Sequence, residues 1–144
     1  MFLPALSCVS FHWANDNTFP DHDKRSFEEI CNILRFPAVD SHIIDTSDPM
    51  PGNTIREKLT AVAQAAIQQP GRTLLVVHYA GHGCDNGTGQ LVISDRLGKK
   101  LARANLLITP FDVTELSLSA LIDVLYIFNR CFGYLRSHGH SNST

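Results

Sequence analysis

The stretch "LLVVHYAGHG", Leu74 to Gly83, limits the possible folds more than any other part of this chain. Its opening is a continuous apolar run with two adjacent valines. That pattern belongs to a strand of a parallel sheet covered on both faces, and the run is too short for a buried helix. The rest of the chain must therefore supply a layer on each side. Polarity then arrives all at once, as two histidines and two glycines. In an open parallel sheet the ligand crevice lies at the carboxyl ends of the strands, so these residues fall where chemistry is expected.

The flanking sequence supplies those layers. Ala5 to Phe11 reads as a strand, and Ala14 to Asp23 as a polar loop. Ser26 with Glu29 has the spacing of a capping box, and Phe27, Ile30, Cys31 and Leu34 then recur at helical spacing. Phe36-Pro37 ends that helix, and Ser41 to Asp45 reads as a second strand. After the turn-rich "TSDPMPGN", Thr54 with Glu57 marks a second capping box, with Ile55, Leu59, Val62, Ala63 and Ala66 as the apolar stripe. Leu74 to Ala80 is the third strand. A glycine-rich loop, Gly81 to Gly89, leads to a strand or hairpin arm at Leu91 to Ile93. Thr114 to Leu121 reads as a short helix and Val124 to Phe128 as a final strand. The alternation predicts an α/β fold, a mostly parallel sheet with helices on both faces. With 144 residues in all, one core is expected: a domain over residues 1–134 and a disordered tail over 135–144.

A formal net charge of -2 gives no electrostatic footprint for nucleic acid or an anionic membrane. The local basic run Arg96, Lys99, Lys100 and Arg103 reads as a solvated loop or hairpin. "MFLPALSCVSFHW" lacks the basic flank and cleavage pattern of a signal peptide, and no stretch has the length of a membrane span. The four cysteines, Cys8, Cys31, Cys84 and Cys131, are spaced neither as a disulfide framework nor as a zinc ribbon. A cytoplasmic protein is expected, with no metal and no cofactor.

Two reactive side chains fall at strand ends, His82 and Cys131. A free thiol is mostly protonated at neutral pH, and an imidazole beside it, charged once the proton has moved, favours the thiolate. Gly81 and Gly83 allow a tight turn and a close backbone approach. The amides of Gly83 and Cys131 are then candidates to receive an oxyanion. Cys8 and Cys31 read as core residues, Cys84 as a loop thiol, and His78 as a strand residue with a satisfied hydrogen bond. A zinc site from His78, His82 and Cys84 is disfavoured, because a four-residue spacing does not align ligands on a strand and turn as it does on a helix.

"HYAGHG" followed by "DVLYIFNRCFGY" resembles the histidine and cysteine segments of the caspase and metacaspase superfamily. Their separation of 49 residues is close to the roughly 50 typical of caspases. The resemblance covers Ala5 to Tyr134. It implies a caspase-like (caspase-haemoglobinase) fold and a cysteine endopeptidase acting on peptide or protein substrates. His82 would be the catalytic histidine, Cys131 the nucleophile and Gly83 an oxyanion donor.

The chain departs from the family in three places. Asn129 stands where metacaspases carry an aspartate that receives a basic substrate side chain; as a substrate-binding residue it implies no preference for Lys or Arg. Arg130 replaces a small residue before the nucleophile. Only 13 residues follow Cys131, so the chain is expected to be the large-subunit portion alone, C-terminally truncated. An exposed sheet edge would follow, completed by a second copy or a partner chain. The alternative is an inactive, truncated caspase-fold interaction module. Asp85 and Asp95 lie where calcium-dependent metacaspases place acidic ligands, and here they read as a solvated loop.

Overall fold

In the computed structural model the described residues are 5–17, 20–85, 91–96, 101–103 and 122–132. They form β1 (Ala5–Trp13), α1 (Pro20–Ile33), β2 (Asp40–Ile44), α2 (Pro51–Ile67), β3 (Thr73–Asp85), β4 (Leu91–Ser94), β5 (Leu101–Arg103) and β6 (Ile122–Phe132). The helix expected over Thr114 to Leu121 and the tail over 135–144 lie outside the described residues. No described helix is long and apolar enough to cross a membrane.

The sheet runs β2-β1-β3-β4-β5, with β6 paired to β3. β1, β2, β3 and β6 are mutually parallel where they pair, whereas β4 and β5 pair antiparallel. The protein is α/β with a mostly parallel, mixed sheet. From β1 the chain crosses through α1 to β2 on one side, then through α2 to β3 on the other. Right-handed crossovers in opposite directions put the two helices on opposite faces.

Side-chain alternation along the strands confirms those two layers. Val9, Phe11 and Trp13 of β1 and Leu75, Val77 and Tyr79 of β3 pack with Ile55, Leu59, Ala63 and Ala66 of α2. The intervening Cys8 and Val76 pack with Phe27 and Cys31 of α1. The apolar run of β3 is continuous because both its faces are covered. α1 buries less of itself than its periodicity suggests, for Ile30 is 51% exposed and Leu34, just past its end, 55%. Phe27 and Cys31, four residues apart, carry the contact.

Neither expected capping box forms. Both helices start earlier, at prolines. Pro51 occupies the first turn of α2 after Met50, and no side chain caps it. Proline suits that position because its φ is already helical and it has no N–H to leave unpaired. Ser26 is therefore interior to α1. Thr54, inside α2, instead donates its hydroxyl to Asp48 Oδ2 at 2.5 Å, while Asp48 Oδ1 accepts from the Met50 amide at 2.8 Å. Thr54→Ala should therefore cost about 1 kcal/mol, and Glu57→Ala, at an exposed position, should cost less than half of that by urea denaturation. Equal losses would restore the capping-box assignment.

Strand β3 also runs further than its apolar stretch, through the glycine-rich segment to Asp85. Residues 86–90 lie outside the described residues. From Thr73 to Tyr79 it is flanked by β1 on one side, and from His82 to Asp85 β4 takes over that side. β6 follows it on the other side from Thr73 to Gly83. Among the described residues β6 pairs only with β3.

Candidate functional site

The order β2-β1-β3 makes the gap between β1 and β3 the place where consecutive crossovers diverge. At the carboxyl ends of such a strand pair the connections leave in opposite directions and open a crevice. β1 ends at Trp13 and is followed by the polar stretch Ala14, Asn15, Asp16 and Asn17. β3 passes the same point with Gly81, His82 and Gly83. His82 was expected on a turn just after the strand; it stands within β3, because β4 and β6 continue the ladder on either side of it.

Gly81 is the pivot. Its φ of +145° is a backbone conformation that side-chain-bearing residues rarely adopt. A Cβ there would collide with Asp16 Oδ2 and come within 2.8 Å of Tyr79 Oη. The missing side chain is what lets the loop after β1 close down on β3. Gly83 has no such requirement: it lies in the ladder between Ile93 and Phe132.

His82 is held at two points. Tyr79 Oη donates to the His82 carbonyl at 2.7 Å, which braces the backbone beyond the glycine. The His82 Nε2–H donates to Asn17 Oδ1 at 2.6 Å, which fixes the ring. The side of the crevice away from β6 is tied together by Asn15. Its Nδ2 donates to Asp95 Oδ2 at 3.3 Å and its Oδ1 accepts from the Arg96 amide at 3.3 Å. Asp95 is thus not a solvated loop residue: it is 4% exposed. The Asp85 side chain lies outside the described structure.

Cys131 enters through β6. The parallel register pairs His82 with Cys131 and Ala80 with Asn129. Register partners on adjacent parallel strands stand about 4.8 Å apart on the same face of the sheet. Ile127 of β6 packs in the α1 layer, and position 129 follows on that face by alternation. Asn129 is exposed. The Cys131, Arg130 and Cys84 side chains lie outside the described structure; for Cys131 the strand and its register are what the structure gives.

Cys8, Cys31 and His78 belong instead to the layer packed against α1. Cys8 and Cys31 are both buried. Burial, followed by the neighbouring Cys31, pushes the Cys8 thiol up to about 12, and burial likewise raises Cys31. His78 is fully buried, stacked on Phe27 with centroids 4.3 Å apart. Its Nδ1 shares a 2.7 Å hydrogen bond with Ser10 Oγ, the partner expected for a strand histidine, while its Nε2 finds none among the described residues. Among the described residues no three His, Cys, Asp or Glu side chains converge as metal ligands. A hollow of about 420 Å³ lies at the opposite end of β1, lined by Ala5, Ser7 and Thr73 with Val62 and Ala66 of α2. It touches none of these residues.

Asn15 and Asn17 were not distinguishable by sequence from other residues of a polar loop. The signal that locates them is topological: they follow the strand that adjoins the switch point. In comparisons with known proteins, no family model matches this chain and no curated protein is significantly similar to it.

Proposed function

We propose that the protein is a caspase-like cysteine endopeptidase using His82 and Cys131. The observation that carries this reading is the register of β3 and β6, which pairs those two residues at the crevice end of the sheet. It is the arrangement required of a thiol activated by an adjacent imidazole. Two strand segments 49 residues apart in sequence meet there without any adjustment of the ladder.

In this reading His82 accepts the Cys131 proton and the thiolate attacks the scissile carbonyl carbon. The resulting oxyanion is received by the Gly83 and Cys131 amides. Collapse of the tetrahedral intermediate breaks the C–N bond, and the His82 imidazolium gives its proton to the departing amine. Water, deprotonated by His82, then hydrolyses the thioester and regenerates the thiol. No cofactor enters the cycle. Asn129, exposed two residues before the nucleophile, is a neutral contact for the substrate side chain preceding the scissile bond.

Selective alkylation tests the pairing. A thiol at the ordinary value of about 8.5 is only a few per cent thiolate at pH 7, so lowering it by about two units raises the thiolate fraction more than roughly tenfold, a gain that lower nucleophilicity offsets in part and that burial denies to Cys8 and Cys31. Cys131 should therefore react with iodoacetamide at least that much faster than Cys8 and Cys31, whose burial makes them internal controls. His82→Ala should remove the advantage at Cys131 alone. Hydrolysis of a fluorogenic peptide panel should disappear in Cys131→Ala. Slow labelling at Cys131, unchanged by His82→Ala, rules the pair out.

The second reading is a non-catalytic module that binds another chain, or a second copy, along β6. It is favoured by the pairing of β6 with β3 alone among the described residues and by Leu125, 48% exposed on that strand. Peptide hydrolysis absent in the wild type, together with unselective thiol labelling, would decide for it.

A further inference from the structure

The hydrogen bond from His82 to the loop after β1 assigns a role to a residue 65 positions away. We infer that Asn17 is the positioning residue of the site, holding His82 in the tautomer and orientation in which Nδ1 is the proton acceptor. The inference rests on the reading of His82 and Cys131 as a reactive pair and extends it to a third member.

A neutral imidazole carries one N–H and one lone pair, and the partner of one nitrogen decides the state of the other. Asn17 Oδ1 can only accept, so the 2.6 Å contact places the proton on Nε2. The lone pair is then on Nδ1. An imidazole with a fixed Nε2–H turns about its Cβ–Cγ bond only by breaking that hydrogen bond, so Asn17 holds the ring plane as well. When Nδ1 takes a proton, the positive charge spreads over both nitrogens and the bond to Asn17 strengthens. A neutral amide stabilises the imidazolium less than a carboxylate would.

The fold gives Asn17 the rigidity this requires. The Ala14 amide bonds the Ile44 carbonyl at 3.0 Å and the Asp16 amide bonds the Trp13 carbonyl at 3.2 Å, which turns the chain directly off β1. Asn15 ties that turn to Asp95 and Arg96 on the far side, and the glycine at position 81 admits Asp16 against β3. Asn17 is thus delivered to His82 by a segment fixed at three preceding residues. Because Asn17 is itself exposed, its substitution leaves the core intact.

The experiment is the pH profile of Cys131 alkylation by iodoacetamide in the full chain, for wild type, Asn17→Ala, Asn17→Asp and His82→Ala, with folding checked by circular dichroism. Asn17→Ala should lower the rate at Cys131 near pH 7 on the order of tenfold and move the thiol's titration to higher pH. Asn17→Asp should restore the rate, because a carboxylate oxygen accepts the Nε2–H as the amide oxygen does. Nitrogen chemical shifts of His82 should report the Nε2–H form in wild type and a mixture of tautomers in Asn17→Ala. If His82→Ala slows Cys131 while Asn17→Ala leaves both the profile and the tautomer unchanged, the positioning role is overturned and the pair survives. If His82→Ala has no effect, the pair itself falls.

Discussion

Gly81→Ala is expected to destabilise the protein by about 3 kcal/mol or more. Two costs combine. Alanine must take up the φ of +145°, and its Cβ must displace Asp16 and the ring of Tyr79. In a domain of this size that loss lowers the melting temperature by roughly 10 °C. The two contributions separate by mutation. Asp16→Ala combined with Gly81→Ala should recover the part of the steric cost that Asp16 imposes and leave the Tyr79 and backbone parts, so the double variant falls between wild type and Gly81→Ala. A melting temperature unchanged by Gly81→Ala would mean that β3 does not bend at this point. Should the single variant fold, His82 is the residue to watch, because the loop displaced by the new methyl carries Asn17. The thiol advantage at Cys131 should fall along with the stability.

The two parts of the molecule were legible to different degrees, for physical reasons. The layers were readable because burial writes its period into the sequence: Leu74 to Val77 for a strand covered on both faces, and Ile55, Leu59, Val62 and Ala66 for a helix covered on one. Helix starts were misplaced because two signals competed. Serine and threonine with glutamate three residues on point to capping boxes, yet Pro20 and Pro51 stand nearby at positions where proline is pre-shaped for a first turn. The extension of β3 to Asp85 was hidden because its glycines read locally as a loop. What holds them in a strand is β4 and β6 on either side, a property of the sheet. The pairing of His82 with Cys131 depends on a register that no local pattern encodes; resemblance suggested it, and strand pairing supplies it. Asn17, and the burial of Asp95, were hidden for a further reason. An asparagine in a polar loop has the same sequence appearance whether it faces water or an imidazole 65 residues away, and only the order β2-β1-β3 singles out the loop that reaches the crevice.

Acid should weaken the fold as the pH falls from 6.5 to about 4. His78 is fully buried against Phe27, and burial, followed by the nearby His12, pulls its pKa from 6.5 down to about 4. Between those values the unfolded chain binds a proton that the folded protein refuses. The associated stability is fully present above pH 6.5, declines as the pH falls, and is lost by about pH 4. The gap corresponds to roughly 3 kcal/mol. His12 and His42, also lowered by burial, add losses of the same sign as the pH falls below 6.5; around His12, Asp21 and Asp16 raise its pKa while Lys24 lowers it. Two carboxylates with displaced titrations fall outside this window. Asp45 and Asp123 are lowered below 3.8 by hydrogen bonds from Ser47 and Arg72, so their contributions disappear only at more acidic pH. Urea unfolding at half-unit steps should therefore show stability falling between pH 6.5 and 4. His78→Phe removes the titrating group while keeping an aromatic ring against Phe27, at the cost of the Ser10 hydrogen bond. It should start from a lower stability at pH 7 and lose markedly less on the way to pH 4. Parallel curves for wild type and His78→Phe would show that the acid sensitivity resides elsewhere, in His12 and His42.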